Sequence, residues 1–570
     1  MEKKKLINLI IILVLCQYAP LAFSQQQSLP LNYEHRLNYE KHLYKTPKNK
    51  PFHTAVKPYL ESEVYEEIYP DSTYGLEKLA PTNGFKKTLD LLGYDEWVRF
   101  DENGFIKPTE FIIEDGDTIE VARTENHYKK RKFYIAINPV IHFEYGRGNN
   151  DNKTSFNVRG IEFKANIGRK VSIYSAFLEN QARFPDYISA YVRKTRTAPG
   201  EGKVRNFKSD GFDFSRAMGH INYAPNKYFN VELGNGKHFI GDGYRSLLLS
   251  DNAFVYPYIK FSTQFWKIKY VNIYSELINN VQNTTDFTLG FPRKLANFNY
   301  LSLAATPWLS IGAFEGLIWR STLPNGKRKF DANFLNPIIG VRALQKNLDA
   351  NKIYGINASI NLPKYIVLYG QIMINQFSTD IKSIENRSGI QLGAKYYDAF
   401  GVKNLNLLAE FNTVRPYAYQ EKTDTVLHYS HYNQALAHPL GSGFREFIFL
   451  VNYRYKRLVT ELKLSMANTS IDGPALNVGT DIMLATNQAA YPTDPEIGQG
   501  LLAYKVMDGE FMIGYVLNPK LNMILQAKLH IRNYKMESTL PAIASPNLKM
   551  FSVGINTDLF NHYYDVPIHF

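Results

Sequence analysis

The chain has 570 residues with 66 Lys+Arg against 53 Asp+Glu, 40 Tyr, 36 Phe and a single cysteine. That length allows several soluble domains or one large barrel with an accessory segment, and a lone cysteine excludes a disulfide framework. No stretch approaches eighteen uninterrupted apolar residues, which excludes a helical membrane protein.

The first 24 residues read as a secretory signal peptide. Met1–Lys5 is short and basic, Leu6–Leu15 is apolar apart from Asn8, and Ala22-Phe23-Ser24 offers small residues before a cut at Gln25. Leu15 before Cys16 is larger than lipoprotein processing wants, so lipidation is not expected. Such an exported chain carries no cysteine and must be held by hydrogen-bond closure or by a lipid environment.

Residues 25–130 form a separate N-terminal segment with 14 Lys+Arg against 19 Asp+Glu. A short helical stretch falls at 82–100 and a hairpin at 104–123. The expectation is a mixed α/β periplasmic or lumen-plugging segment whose acidity complements a basic barrel.

From 131 to 570 the balance reverses to 49 against 33, and apolar residues recur at every second position. The clearest case starts at Leu521, where Met523, Leu525, Ala527, Leu529 and Ile531 alternate with Ile524, Gln526, Lys528, His530 and Arg532. Period two is a strand with unlike faces, here lipid on one side and a wet, cationic lumen on the other. Comparable stretches occupy 132–147, 212–225, 227–239, 364–377, 405–414, 445–455, 458–469 and 509–518, each near the ~9–11 residues a tilted spanning strand needs. Tight proline turns (Ala224-Pro225-Asn226-Lys227, Thr306-Pro307-Trp308, Leu362-Pro363-Lys364, Asn518-Pro519-Lys520) alternate with long polar loops at 185–210, 282–298, 378–388, 415–443 and 470–500. Short periplasmic turns and long external loops are the layout of an outer-membrane barrel. Length predicts an all-β transmembrane antiparallel barrel of about 18 strands, with 16 the alternative. The final residue, Phe570, is the aromatic with which such barrels commonly end.

Three motifs bear on function. In "GNGKHFIGDGYRSLLLSDNAF" (234–254) the glycines lack phosphate-loop spacing, while Asp242, Arg245 and Asp251 need partners or a ligand. The reading there is an Arg–Asp network, with a sugar site as the alternative. In "VRPYAYQ" and "HYSHYNQALAHPLGSGFREF" (428–447), His428, His431 and His438 with Glu446 fit no metal-ligand spacing. Ser430 lacks a nucleophile elbow, so neither metal, cofactor nor catalysis is expected. Tyr417, Tyr419, Tyr429 and Tyr432 beside Arg415 and Arg445 can stack on sugars and pair with uronate or phosphate.

"FIGDGYRSLLLSDNA" (239–253), "FLNPIIGVRA" (334–343) and "VRPYAYQ…HYNQALAHPLGSGFRE" (414–446) resemble the Wzi-like capsule-assembly outer-membrane family, in the form labelled gliding-motility protein of the RemB type in Bacteroidetes. The resemblance implies an 18-stranded barrel that anchors or organises exopolysaccharide, supports gliding or adhesion and meets gliding or secretion machinery. Its candidate ligand residues are Asp242, Arg245, Arg415, Tyr417, His438, Arg445 and Glu446. The expected partners are outer-membrane lipid, lipopolysaccharide and an anionic surface polysaccharide, with no nucleic acid. A passive porin-type channel is the alternative function. Enteric relatives carry a helical plug before the barrel, whereas 25–130 mixes strand and helix.

Overall fold

The computed structural model describes residues 28, 31–45, 53–60, 111–114, 117–120, 133–149, 152–167, 170–279, 291–321, 332–344, 350–377, 386–421, 424–472, 477–485, 503–518, 522–536, 547–557, 561 and 563–566. The signal segment, the helical stretch at 82–100, Leu521, Pro519, Lys520 and Phe570 lie outside them. Eighteen antiparallel strands form one closed wall: β1 Phe133–Gly148, β2 Lys153–Ile167, β3 Val171–Arg183, β4 Gly211–Asn226, β5 Phe229–Gly236, β6 Tyr256–Phe265, β7 Ile268–Ile278, β8 Arg293–Thr306 and β9 Leu309–Arg320, followed by β10 Ala350–Leu362, β11 Ile366–Gln376, β12 Arg387–Tyr396, β13 Leu405–Val414, β14 Phe444–Tyr455, β15 Leu458–Ser470, β16 Ala503–Asn518, β17 Met523–Met536 and β18 Leu548–Asn556. β18 pairs with β1 from Met550↔Gly148 to Asn556↔His142, so the ladder has no open edge. Closure matters because an unpaired backbone group costs several kcal/mol in hydrocarbon.

Alternation sets the two faces. Along β17, Leu525, Leu529 and Ile531 are exposed outward while Gln526, His530 and Arg532 are buried inside. Ile137, Phe143, Leu233, Ile356, Ile372, Leu392, Phe447, Met507, Ile513 and Phe551 continue the exposed apolar band around the wall. The long loops all fall at one end, where the four-residue β1–β2 connection also lies, and the connections at the other end are short. The stretch 282–298 is not all loop: β8 begins at Arg293, because Lys294 faces in and Asn297 and Asn299 face out, giving polar residues on both faces.

That outward patch is covered. Glu315 on β9 and Asn297 and Asn299 on β8 face outward yet are fully buried, because residues 332–344 of the β9–β10 loop fold back down the wall. Arg342 of that loop donates to Glu315 at 2.6 Å and to Asn297 at 2.8 Å, and Phe334 stacks on Trp319 at 3.6 Å. This is where the "FLNPIIGVRA" motif sits.

The lumen is occupied. Helix α1, Tyr33–Lys45, lies inside the wall, and residues 53–60 follow it, with Val56 and Lys57 pairing to Ile240 and Phe239. Glu40 of α1 meets Lys395 at 2.5 Å, Lys57 at 3.3 Å and Arg36 at 3.7 Å. Burial would raise its pKa, but Lys395, Lys57 and Arg36 together lower it to about 2. The hairpin expected at 104–123 is present as Phe111–Glu114 against Asp117–Glu120. After β18, which ends at Asn556, the chain turns back inward: Tyr563, Asp565 and Val566 are buried within the barrel.

Candidate functional site

The glycine-rich stretch after β5 is an inward-folded loop, 237–255. Phe239, Ile240, Leu247, Leu248 and Leu249 have no solvent exposure, so burial of these side chains draws the segment into the lumen. Gly241 sits at φ 145 with its Cα against the Gln371 side chain, a conformation and a space that only glycine fits.

This loop delivers Arg245, 1 % exposed, to the middle of the barrel. Its Nη2 donates to Asp565 at 2.6 Å and to Glu446 at 3.3 Å. Its guanidinium lies 5.0 Å from the Tyr244 ring and 5.1 Å from that of Tyr563. Lys463 Nζ donates to the same Asp565 oxygen at 3.0 Å. Burial would raise the Asp565 pKa, but Lys463 and Arg245 hold it well below the usual carboxylate range. Glu410 accepts the backbone N–H groups of Tyr244 and Arg245 and the Tyr369 hydroxyl. Asn412 bridges Glu410 and Glu446. His438 donates from Nε2 to Glu446 at 2.7 Å while its Nδ1 accepts from Leu440 N–H, which fixes the neutral tautomer. Burial lowers its pKa despite the Glu446 carboxylate.

Of the seven residues singled out by sequence, Arg245, His438 and Glu446 are thus brought together. Asp242 is not the partner of Arg245; it accepts from Asn357 at 2.8 Å. Arg415, half-buried, lies where the β13–β14 loop begins, its N–H donating to Ser388 carbonyl. Tyr417 is fully buried, donating from its hydroxyl to Asn477 carbonyl at 2.6 Å. Arg445 is exposed on the outer face of β14, because successive strand residues point to opposite sides and its neighbour Glu446 points in. Tyr419 and Tyr429 are also buried, donating to the Leu247 and Leu248 carbonyls at 2.7 Å each, so the β13–β14 loop is riveted onto the 237–255 loop. Only Tyr432 of that tyrosine set keeps a half-exposed ring. Ser430 is 1 % exposed and receives Lys294 Nζ at 3.1 Å, a contact with no access for a substrate. Among the described residues, no three His, Cys, Asp or Glu side chains converge as a metal site.

What the sequence reading passed over is the β3–β4 loop. Helix α2, Asp186–Thr195, buries Tyr187, Ile188, Tyr191 and Val192 against Phe156, Phe184, Phe212, Phe214 and Val566. Its other side, with the chain up to 210, exposes Arg193, Lys194, Arg196, Lys203, Arg205 and Lys208 against the exposed carboxylates of Asp186 and Asp210, with Lys194 3.7 Å from Asp481 and Arg205 opposite Asp213. Asp210 is already paired with Arg183 at 2.5 Å. Lys203 lies over the Phe291 ring at 5.1 Å, and beside Gly202 the half-exposed Phe254 meets Tyr432 edge to face at 5.2 Å. Gln434 accepts from Gly200 N–H and donates to the Glu201 carbonyl, both at 2.6 Å, tying this cap to the β13–β14 loop. The signal was legible: "VRKTRTAPGEGKVRNFK" carries cations at close spacing with one acidic residue, Glu201, and that one is consumed by Arg216.

No family model matches the chain, and no curated protein matches it in sequence. Among solved structures it is similar to Wzi of Escherichia coli, described as an outer membrane protein involved in group 1 capsule assembly and a carbohydrate-binding β-barrel. The TM-score is 0.53 at 11 % identity, covering 93 % of this chain and 99 % of that one. What the two share is the fold. OccAB2 of Acinetobacter baumannii and OprD of Pseudomonas aeruginosa match with TM-scores of 0.41 and 0.40, at 10 % and 11 % identity, each over 74 % of this chain and over 96 % and 94 % of their own.

Proposed function

We propose that this protein is a non-enzymatic outer-membrane barrel that retains an anionic surface polysaccharide on its external cap. The carrying observation is a division of labour between inside and outside. Within the wall, the charged groups around Arg245 pair with one another through its Nη2, Asp565, Glu446 and Lys463 and are closed off by α1, the 237–255 loop and the C-terminal residues. Outside, cations with few counter-charges gather beside half-exposed aromatic rings. In this reading Arg245, Asp242, His438 and Glu446 hold the loops that shape the cap. Arg193, Arg196, Lys203 and Arg205 pair with uronate or phosphate groups, while Phe254, Tyr432 and Phe291 stack on sugar faces.

Each exposed ion pair contributes only ~0–1 kcal/mol, so retention comes from many repeats engaging together and weakens as salt screens them. The Wzi likeness supports a polysaccharide role; a part in gliding or adhesion rests on the sequence resemblance alone. The test is capture of polyglucuronate by detergent-purified barrel, wild type against R193Q/R196Q/K203Q/R205Q. The reading expects capture that is lost in the variant, released by salt, and absent with neutral dextran. Equal capture by both proteins, or equal capture of dextran, refutes it.

A further inference from the structure

A second cationic feature faces lipid, outside both the lumen and the cap. Near the loop ends of β14 to β18, β1 and β2, the outward-pointing residues include Arg445, Lys505, Lys535, Lys549, Arg147 and Lys153, all exposed. The pairing registers place Arg445, Lys505 and Lys535 in one row: Arg445 is opposite Asn468, Asn468 opposite Lys505, and Lys505 directly opposite Lys535. Lys549 falls opposite Ile531, four residues along β17 from Lys535. Across the closure, Arg147 is directly opposite Lys153, and its partner on β18 is Phe551, two residues from Lys549. Next on the same face come Phe447 after Arg445, Met466 after Asn468 and Met507 after Lys505, exposed and apolar, with Ile531 two outward positions beyond Lys535.

In this sector the three outward positions nearest the loops on each strand carry no Asp or Glu among the described residues. Like charges directly opposite on a ladder are destabilising, and Lys505 and Lys535 form such a pair. Anionic groups lying on the rim relieve that repulsion. The level is where the hydrocarbon band ends on the loop side, the depth of lipid headgroups in the outer leaflet. We infer that this rim, running over Arg445, Lys505 and Lys535, is a docking site for the phosphorylated headgroup of an outer-leaflet glycolipid. Lysine and arginine ends bridge its phosphates while the apolar row beneath receives its acyl chains. The site is built from wall residues only, so it holds or fails separately from the glycan reading of the cap.

Each Lys or Arg near an anionic lipid surface strengthens binding roughly fivefold, so R445Q/K505Q/K535Q should lose on the order of a hundredfold. The experiment is native mass spectrometry of the full chain in detergent with bisphosphorylated lipid A. K364Q/K403Q, at the opposite end of the barrel, serves as the control, and the heat-dependent gel shift reports an intact wall. The expected result is retention by wild type and control, loss in the triple variant, and weaker retention of monophosphoryl lipid A by wild type. Undiminished binding in the triple variant overturns the assignment. So does equal retention of the mono- and bisphosphorylated lipids, displacement of lipid A by an equal concentration of pyrophosphate, or loss of polyglucuronate capture in place of lipid A.

Discussion

Glu40 offers the sharpest test of how the lumen is closed. Its carboxylate is 1 % exposed and lies among Lys395, Lys57 and Arg36, themselves 1–2 % exposed, with the Tyr397 and Tyr59 hydroxyls donating at 3.2 Å each. Glu40→Ala removes the shared anion and leaves three buried cations facing one another. Removing one partner of a buried ion pair costs about 3–5 kcal/mol. At about 1.4 kcal/mol per decade, that shifts the docking equilibrium of α1 by roughly two to three and a half orders of magnitude. The barrel wall contributes only Lys395 to the cluster, so it should stay folded while the helix lets go. Two assays read this together: the frequency of open events in planar bilayers, and protease cleavage within residues 25–60 in detergent. Glu40→Ala should raise both at least tenfold, and adding Lys395→Met should recover part of the change. If Glu40→Ala stays closed and protease-resistant with an intact gel shift, the ion cluster does not hold the plug and the account of the lumen is wrong.

Two further outcomes follow from the same physics. Arg342→Leu should destabilise urea unfolding of the detergent-solubilised barrel by about 3–5 kcal/mol, because Glu315 is left buried and unpaired on the outer wall, whereas R342L/E315L should recover most of the loss; equal losses in single and double variants would show that the pair is not the reason. His53, buried against Ser302 and beside Lys269, has its pKa lowered to about 3 by burial first and Lys269 second. It therefore takes up a proton only when undocked, so plug docking is strongest above the ordinary histidine value near 6.5 and weakens as pH falls from there toward 3. Glu40 adds its own loss only from about 4.5 downward, so cleavage within 25–60 should rise between pH 6.5 and 4.5 in wild type and stay flat in His53→Gln; a flat wild-type profile in that window contradicts the assignment.

How far the sequence carried the structure depends on whether one strand or several segments had to be known. β17 was readable from its own residues, since Leu525, Leu529 and Ile531 share one parity and Gln526, His530 and Arg532 the other. The turns at Pro307 and Pro363 were readable because proline cannot donate to a ladder, although Pro139 and Pro257 lie within β1 and β6. β8 was obscured by Lys294, Asn297 and Asn299, which look like loop and are explained only by a loop, 332–344, that returns to cover them. Arg445 could have been placed outward from the parity it shares with Phe447, yet its place beside the tyrosines and Arg415 suggested a common site. The pairing of Arg245 with Asp565 joins residues 320 apart in the chain and needs the C-terminal residues to re-enter the barrel, which no local pattern announces. The cationic cap was present in sequence but has no period, because its residues are held by α2, by Gln434 and by a short pairing of 205–207 with the start of β4.

On our proposal this barrel holds a polymer on its surface and passes little through its middle. Single-channel conductance of the purified wild-type protein in planar bilayers tests it most directly. The account predicts a closed baseline for wild type, with current appearing when residues 25–60 are deleted. Steady porin-sized conductance in wild type, unchanged by that deletion, would contradict it.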